Sequence, residues 1–596
     1  MIFKKLAIFF EKIEKTTSRL EITHFLSSLF KELTPDEIKK TIFLLQGRVV
    51  PLYEKIEFGI AEKTIIKAIT LALNIENKIF ISQYKKIGDL GKTVEYFKKQ
   101  FISFEEKEIT IKKVFDILYQ IAITKGERSQ EKKITLLSSL IRQLDPLSSC
   151  YLVRIITGIL RLGFSDMTIL DSLSWMEKGD KSLRKVIENA YHVHPDLGYL
   201  SQLIKEKGII SLKNISPQVF TPIIMMKAER LSSAKEILKK IGRCAVESKY
   251  DGFRLQIHYS QEKNQVKVFS RNLEEVSSIY PDVVFGIKKE IKVKNIIFEG
   301  EAIGFDPQTG NFLPFQETVQ RKRKYNIKEK SKQIPLKLFA YEILYLDNKN
   351  FIHLPFEERR KNLEKLINQK KDIFKNTILL SPQSIVEEEK KLELLFEEAV
   401  SQGLEGIVAK KLDGVYQAGA RGWNWIKFKR SYSSKIEDTI DCLVMGYDIG
   451  KGKRTSFGIG AFLVGIFDEE NSNYVTVAKI GTGLSDYEWR NLYQKCQMIK
   501  VESKPKNYLV DKTMECDVWI LPSLVVEVRA DEITRSPVHT AGRKMKPTKT
   551  GQAEEVDLPG FALRFPRLEK FREDKYFQDV TTLKEIKRFF LRQNRS

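Results

Sequence analysis

Residues 247–259 read ESKYDGFRLQIHY. Leu255, Ile257 and Tyr259 alternate with polar residues, the period of a half-buried strand, and Lys249 stands inside that run. An ammonium there is costly to desolvate unless it is paired or loses its proton. It can hold a phosphate, form an ion pair, or act as a nucleophile. As a nucleophile it must be neutral, a state that neighbouring cations and partial desolvation favour. If its target is the α-phosphate of a nucleotide, further parts follow from chemistry. Carboxylates must hold Mg²⁺ (or Mn²⁺) to neutralise phosphate charge. Lysines or arginines must grip phosphate oxygens. An aromatic face should stack on the base.

These parts occur in order along the chain. Glu301 lies in FEGEAIGF and Tyr341 in AYEILY. Glu405 lies in LEGIVAKK, and Lys427 and Lys429 alternate in WIKFK, which puts both on one strand face. Arg572 and Lys575 lie in REDK near the end. Each feature has a plain alternative when taken singly: a strand-edge charge, a core tyrosine, a solvated strand face. KxDG arises by chance in roughly one chain in five of this length and KxDGxR in roughly one in a hundred. The weight therefore rests on the ordered set.

The elements that must position these residues are legible in outline. The first third reads as helical. In LTPDEIKKTIFLLQG, Thr34 can cap, Pro35 suits the first turn, Ile38, Ile42 and Leu45 form an apolar face, and Gly47 stops the helix. DPLSSCYLVRIITGILRLGFSD reads as another helix, with Arg154 and Arg161 seven apart on one face, available to phosphates. Near residue 210 the period changes to two. CAVESKYDGFRLQIHY, QVKVFSR, NIIFEGEAIGF and LKLFAYEILYL read as strands, and EEEKKLELLFEEAVSQG as a helix closed by Gly403. Residues 430–438 read as a polar linker. Short strands at barrel-like spacing follow, then the basic loop HTAGRKMKPTKTGQAEE and a helical tail.

Bulk composition narrows the class. A chain of 596 residues exceeds a single core, and a net charge of +23 points to a polyanionic partner. RKRKYNIKEKSK, residues 321–332, is a second basic patch. No apolar run is long enough to span a membrane. The cysteines Cys150, Cys244, Cys442, Cys496 and Cys516 form no CxxC, which argues against a zinc site and for a reducing, cytoplasmic setting. His192 and His194 lack further ligands nearby and read as structural.

KYDGFR, FSRN, FEGEAIG, LFAYEILYL, EGIVAKK, WIKFK and LRFPRLEKFREDK resemble the ordered motifs of covalent nucleotidyltransferases, ATP-dependent DNA ligases most closely. YLVRIITGILRLGFSD and AYHVHPDLGYL are similar to the helical DNA-binding domain of such ligases. The resemblance implies a multidomain fold: an all-α DNA-binding domain (1–212), an α+β, ATP-grasp-like nucleotidyltransferase domain (213–432), and a β-barrel OB-fold (433–596). It implies that Lys249 is adenylated and that Glu247 reads the adenine amino group. Arg254 and Arg271 would contact ribose or phosphate, Glu301 the metal or ribose hydroxyl, and Tyr341 the adenine face. Glu405 would assist the metal, Arg421, Lys427 and Lys429 the phosphates, and Arg572 and Lys575 the leaving pyrophosphate. ATP, Mg²⁺ and nicked duplex DNA are the implied ligands, and a monomer is expected. A sliding clamp is a natural partner of the family, although no motif for one stands out. Where the family usually has Phe-Asp, this chain has Tyr341-Glu342. An mRNA-capping or RNA-joining enzyme and a non-catalytic DNA-binding scaffold stay open as alternatives, and an NAD-dependent ligase is disfavoured by the missing four-cysteine pattern.

Overall fold

From Phe3 to Lys207 the described regular elements are all α-helices. The computed structural model describes residues 1–100, 106–313, 315–322, 326–367, 372–402, 404–429, 439–450, 457–547 and 554–593. Residues 430–438, Gly403, 323–325 of the second basic patch and 548–553 of the basic loop lie outside them. The chain divides into two compact units, Met1–Lys429 and Arg430–Ser596.

Local chemistry sets the helix ends. Thr34 Oγ1 accepts the Glu37 N–H, and the Glu37 carboxylate accepts the Thr34 N–H, so both orphan donors are satisfied at the start of helix Pro35–Leu45. Ile38, Ile42 and Leu45 are buried in one continuous helical core. Asp145 caps helix Pro146–Ile156 by accepting from the Leu147 and Ser148 N–H groups.

That helix stops sooner than its periodicity predicts. Thr157 closes it, Gly158 turns left-handed at φ +69°, and Arg161 follows at φ +59°. Arg154 and Arg161 therefore do not share a helix face. Arg154 is 3% exposed and does not present a phosphate contact. Its Nη1 donates to Glu14 Oε2 at 2.7 Å and its Nη2 to Asp89 Oδ2 at 2.8 Å. Tyr151 donates to the same Glu14 oxygen at 2.6 Å. Arg161 is half-exposed and also pairs with Asp89, at 3.1 Å. The buried charge cluster, not a phosphate surface, explains Arg154. Arg321 of the second patch is likewise buried, against Asp282 at 2.6 Å.

The rest of the first unit holds two sheets. Its strands are β1 (Lys227–Arg230), β2 (Cys244–Lys249), β3 (Phe253–Ser260), β4 (Gln265–Ser270), β5 (Asn295–Gly304), β6 (Leu336–Leu346), β7 (Lys349–Asn350), β8 (Ile378–Leu380), β9 (Gln383–Val386), β10 (Gly406–Lys411) and β11 (Arg421–Lys429). One sheet runs β1-β11-β10-β2-β9 and the other β4-β3-β5-β6-β7, with β8 on β6. Val246, Ile407 and Phe428 of the first pack on helices Ala234–Ile241 and Glu389–Ser401. Leu255, Phe298 and Ala340 of the second pack on helices Pro281–Glu290 and Phe356–Leu366. The alternate residues of both sheets turn toward each other.

The run around Lys249 is not one strand. Lys249 ends β2, and Tyr250–Gly252 carry the chain across to β3 in the other sheet. Glycine is required at the crossing: a Cβ on Gly252 would lie 2.4 Å from the Ala302 carbonyl oxygen.

In the second unit, β12 (Ile440–Ile449), β13 (Ile459–Asp468) and β14 (Asn473–Ile480) form an antiparallel meander. Strand Val525–Arg529 joins β12 to strand Arg567–Phe571. Part of the expected basic loop is a ribbon instead, Lys544–Pro547 pairing antiparallel with Glu554–Leu558.

Removing one partner of a buried ion pair leaves the other charge stranded. Arg154→Ala is expected to cost about 3–5 kcal/mol of stability, read as a lower urea midpoint for the first unit. An unchanged midpoint would mean that the cluster is not formed.

Candidate functional site

Strand register assembles the site. Across β2, β10 and β11, Gly406 stands opposite Lys249 on one side and Lys429 on the other. The next cleft-facing row is Glu247, Val408 and Lys427, and the next Ala245, Lys410 and Trp425. Gly406 adds no side chain between the two lysines, and a Cβ there would meet the Phe428 carbonyl oxygen at 2.2 Å.

Glu405 fills the gap. Its Oε2 lies 2.6 Å from Lys249 Nζ and 2.6 Å from Lys429 Nζ, and its N–H donates to the Lys249 carbonyl at 3.2 Å. Burial disfavours the charged carboxylate, but the Lys249 charge and hydrogen bonds from both lysines outweigh it and hold Glu405 at about 2. The sequence points to neighbouring cations alone around Lys249; in the fold a carboxylate bridges Lys249 and Lys429. Lys427 stands close to this group. Burial first, then Lys429, Arg421, Lys249 and Arg271, pull its ammonium below the usual lysine range.

The facing sheet supplies the complement. Arg254 and Glu301 are register partners on β3 and β5. Burial pushes the Glu301 carboxyl up to about 7, against the pull of Lys249 and Arg254 and with help from Glu405 and Asp251. Arg254 donates from Nη1 to the Met226 carbonyl at 2.6 Å and from Nη2 to Glu299 Oε2 at 2.7 Å. Its guanidinium lies near the rings of Tyr341 and Trp425.

The other end of the cleft is organised by Lys410, which sequence reading missed. Its Nζ donates to Glu247 Oε2 and to the Tyr341 carbonyl, both at 2.9 Å, amid the rings of Tyr341, Phe356 and Trp425. The alternation of GIVAKK placed Lys410 on the face of Gly406 and Val408, and that signal was available. Glu247 is 4% exposed, with Arg360 Nη1 3.6 Å from its Oε1. Glu342 turns into the core, where Arg359 holds it through two bonds of 2.8 and 2.9 Å. Glutamate in place of the family's aspartate thus has its own buried partner, and Tyr341 keeps an aromatic face on the cleft.

Arg421 is exposed at the start of β11. In the second unit, Arg572 Nη1 lies 3.1 Å from both Asp441 Oδ1 and Glu527 Oε2, and Lys575 Nζ donates to Asp441 Oδ2 at 2.6 Å. Among the described residues no group of three His, Cys, Asp or Glu side chains could hold a metal. Glu301 and Glu405 are two hard oxygen donors within electrostatic reach of each other, a set that suits Mg²⁺ when substrate phosphates and water complete the shell.

Family models cover most of the chain. One described as "DNA ligase N terminus" matches residues 2–174, one described as "ATP dependent DNA ligase domain" 225–429, and one described as "ATP dependent DNA ligase C terminal region" 455–575. A "Probable DNA ligase" of Dictyoglomus turgidum is 48% identical over 598 residues, spanning 100% of this chain and 98% of that protein. A "DNA ligase" of Saccharolobus solfataricus is 38% identical over 606 residues, with 100% and 98% covered. The solved structure Pmar-Lig_PreS3 is similar in fold, with a TM-score of 0.54, 17% identity, and coverage of 95% of this chain and 99% of that one.

The raised Glu301 carboxyl makes a pH prediction. The folded chain holds that proton more tightly than the unfolded one, whose carboxyl titrates near 4.5. The stability it contributes is full below 4.5 and is lost as pH rises to about 7. In EDTA, the parent should lose about 1–3 kcal/mol relative to Glu301→Gln over this window. Parallel pH profiles in urea unfolding would refute the assignment.

Proposed function

The chain belongs to the family of ATP-dependent DNA ligases, enzymes that seal nicks in duplex DNA, and we propose that it does so through AMP carried on Lys249. The observation that carries this reading is the cluster at the end of β2, where Lys249 and Lys429 share Glu405 while Lys427 and Glu301 stand within electrostatic reach.

Lys249 Nζ attacks the α-phosphorus of ATP; a P–N bond forms and the P–O bond to pyrophosphate breaks. A 5′-phosphate oxygen at the nick then attacks the same phosphorus and releases the lysine. Finally the 3′-hydroxyl attacks the activated 5′-phosphate, a phosphodiester forms, and AMP leaves. Held at about 2, Glu405 is a poor proton acceptor. Its carboxylate fits the work of holding the Lys249 side chain in place, and Lys249 must leave it and give up a proton to solvent to become a nucleophile. Glu301 and Glu405 would hold Mg²⁺ or Mn²⁺, which when bound neutralises phosphate charge. Lys427, Lys429 and Arg421 bind phosphate oxygens, and Arg271 meets the ribose or phosphate. Arg254, fixed by Glu299, meets the ribose or phosphate. Glu247, fixed by Lys410, accepts the adenine amino group, and Tyr341 stacks on the base. Arg572 and Lys575 exchange Asp441 for the leaving pyrophosphate.

Three domains follow from this reading, 1–212, 213–432 and 433–596, and the three family matches fall inside them. The meander of β12 to β14, with strand Val525–Arg529 beside β12, supports an OB-fold barrel for the last. The net charge of +23 suits a protein that binds duplex DNA through its backbone. Arg161 stays a candidate for such contact. The enzyme acts as a monomer in a reducing cytoplasm, in keeping with the free cysteines, and a sliding clamp is a partner worth testing. No helix among the described residues is long and apolar enough to cross a membrane.

Incubation with ATP and Mg²⁺ without DNA should add one AMP to the intact mass of the parent, and pyrophosphate should remove it. Lys249→Ala should show no adduct. An adduct on that variant would overturn the assignment, and an adduct with GTP alone would favour a capping enzyme.

A further inference from the structure

Among the described residues the helical region touches two turns of the central region that each carry a candidate arginine. The first follows β4 and holds Arg271. There the Leu273 N–H donates to the Ser270 carbonyl at 2.9 Å, and the Ser270 N–H to the Glu274 carbonyl at 2.9 Å. Leu273 sits in the left-handed region at φ +64°, a conformation that leucine keeps only when its surroundings enforce it. Side chains of the helical region press on this turn. Tyr53, 8% exposed, packs with Phe269 and Leu273 in a small core of their own, and its hydroxyl bonds Thr221. Two residues on, Lys55 Nζ pairs with Glu275 Oε2 at 2.9 Å and donates to Ser278 Oγ at 3.1 Å. At the second turn the His192 ring lies against Gly419, two residues before Arg421.

We propose that Tyr53 and Lys55 of the helical region are positioning residues for the reaction: they clamp the Leu273 turn and so hold Arg271 beside Lys427. Neither residue touches substrate. This rests on the reading of Arg271 as a phosphate- or ribose-binding group. The net effect is that the region expected to grip DNA also completes the nucleotide site, so that docking of one bears on the geometry of the other. A displacement of about 1 Å at such a group costs on the order of a hundred-fold in rate.

The test is a double-mutant cycle on nick sealing at saturating ATP and nicked duplex. Tyr53→Ala and Arg271→Ala should each lower kcat about ten- to a hundred-fold, and the double variant should be no slower than Arg271→Ala. Tyr53→Phe should keep most of the rate, because the ring does the packing. Should Tyr53→Ala fail to fold, the charge swap serves: Lys55→Glu and Glu275→Lys each slow sealing, and together they restore it. Multiplying effects in the cycle, or a swap without rescue, would overturn the clamp while leaving the Arg271 reading intact. A fully active Arg271→Ala would overturn both.

Discussion

Mutual repulsion among cations is the constraint on which the rest depends. Lys249, Lys429, Arg271 and Arg421 all bear on Lys427 at one end of the cleft. Such a group is unstable alone and is tolerated because Glu405 is wedged between two of its members. The wedge exists because Gly406, in register between Lys249 and Lys429, leaves room for it. A chain built to receive several negative phosphates must survive their absence, and one shared carboxylate provides for that.

A second set of buried charges fixes orientation. Arg254 is held by Glu299, which also accepts from Gln256 and Tyr416; Glu247 is held by Lys410; Glu342 by Arg359. Buried pairs of this kind return little net stability once desolvation is counted. What they return is geometry. The first two pairs lock neighbouring strands within one sheet and the third ties β6 to helix Phe356–Leu366, while the bond from Lys410 to the Tyr341 carbonyl crosses from one sheet to the other.

The positive charge of the chain works as a field and not as a roll of contacts. Arg154 shows the difference. By pattern it belonged to a phosphate-facing helix; in the fold it is the centre of an ion cluster in the helical core. Lysines and arginines are so frequent here that some serve the interior, and charge counts cannot say which.

By itself, the sequence determined the change of period from helical to strand-like near residue 210, the capped helix at Thr34, and the pairing of Lys427 with Lys429 on one face. These rest on neighbours a few residues apart, where backbone sterics and alternation decide. It also carried the ordered motifs that mark the family. Only the tertiary structure decided that the run through Lys249 breaks into two strands of different sheets, since Gly252 matters for its contact with Ala302. It alone placed Lys410 against Glu247, 163 residues apart, and Arg154 between Glu14 and Asp89. Burial and partnership of a charge are properties of what packs against it, and that is set by chain segments too distant for any local pattern to record.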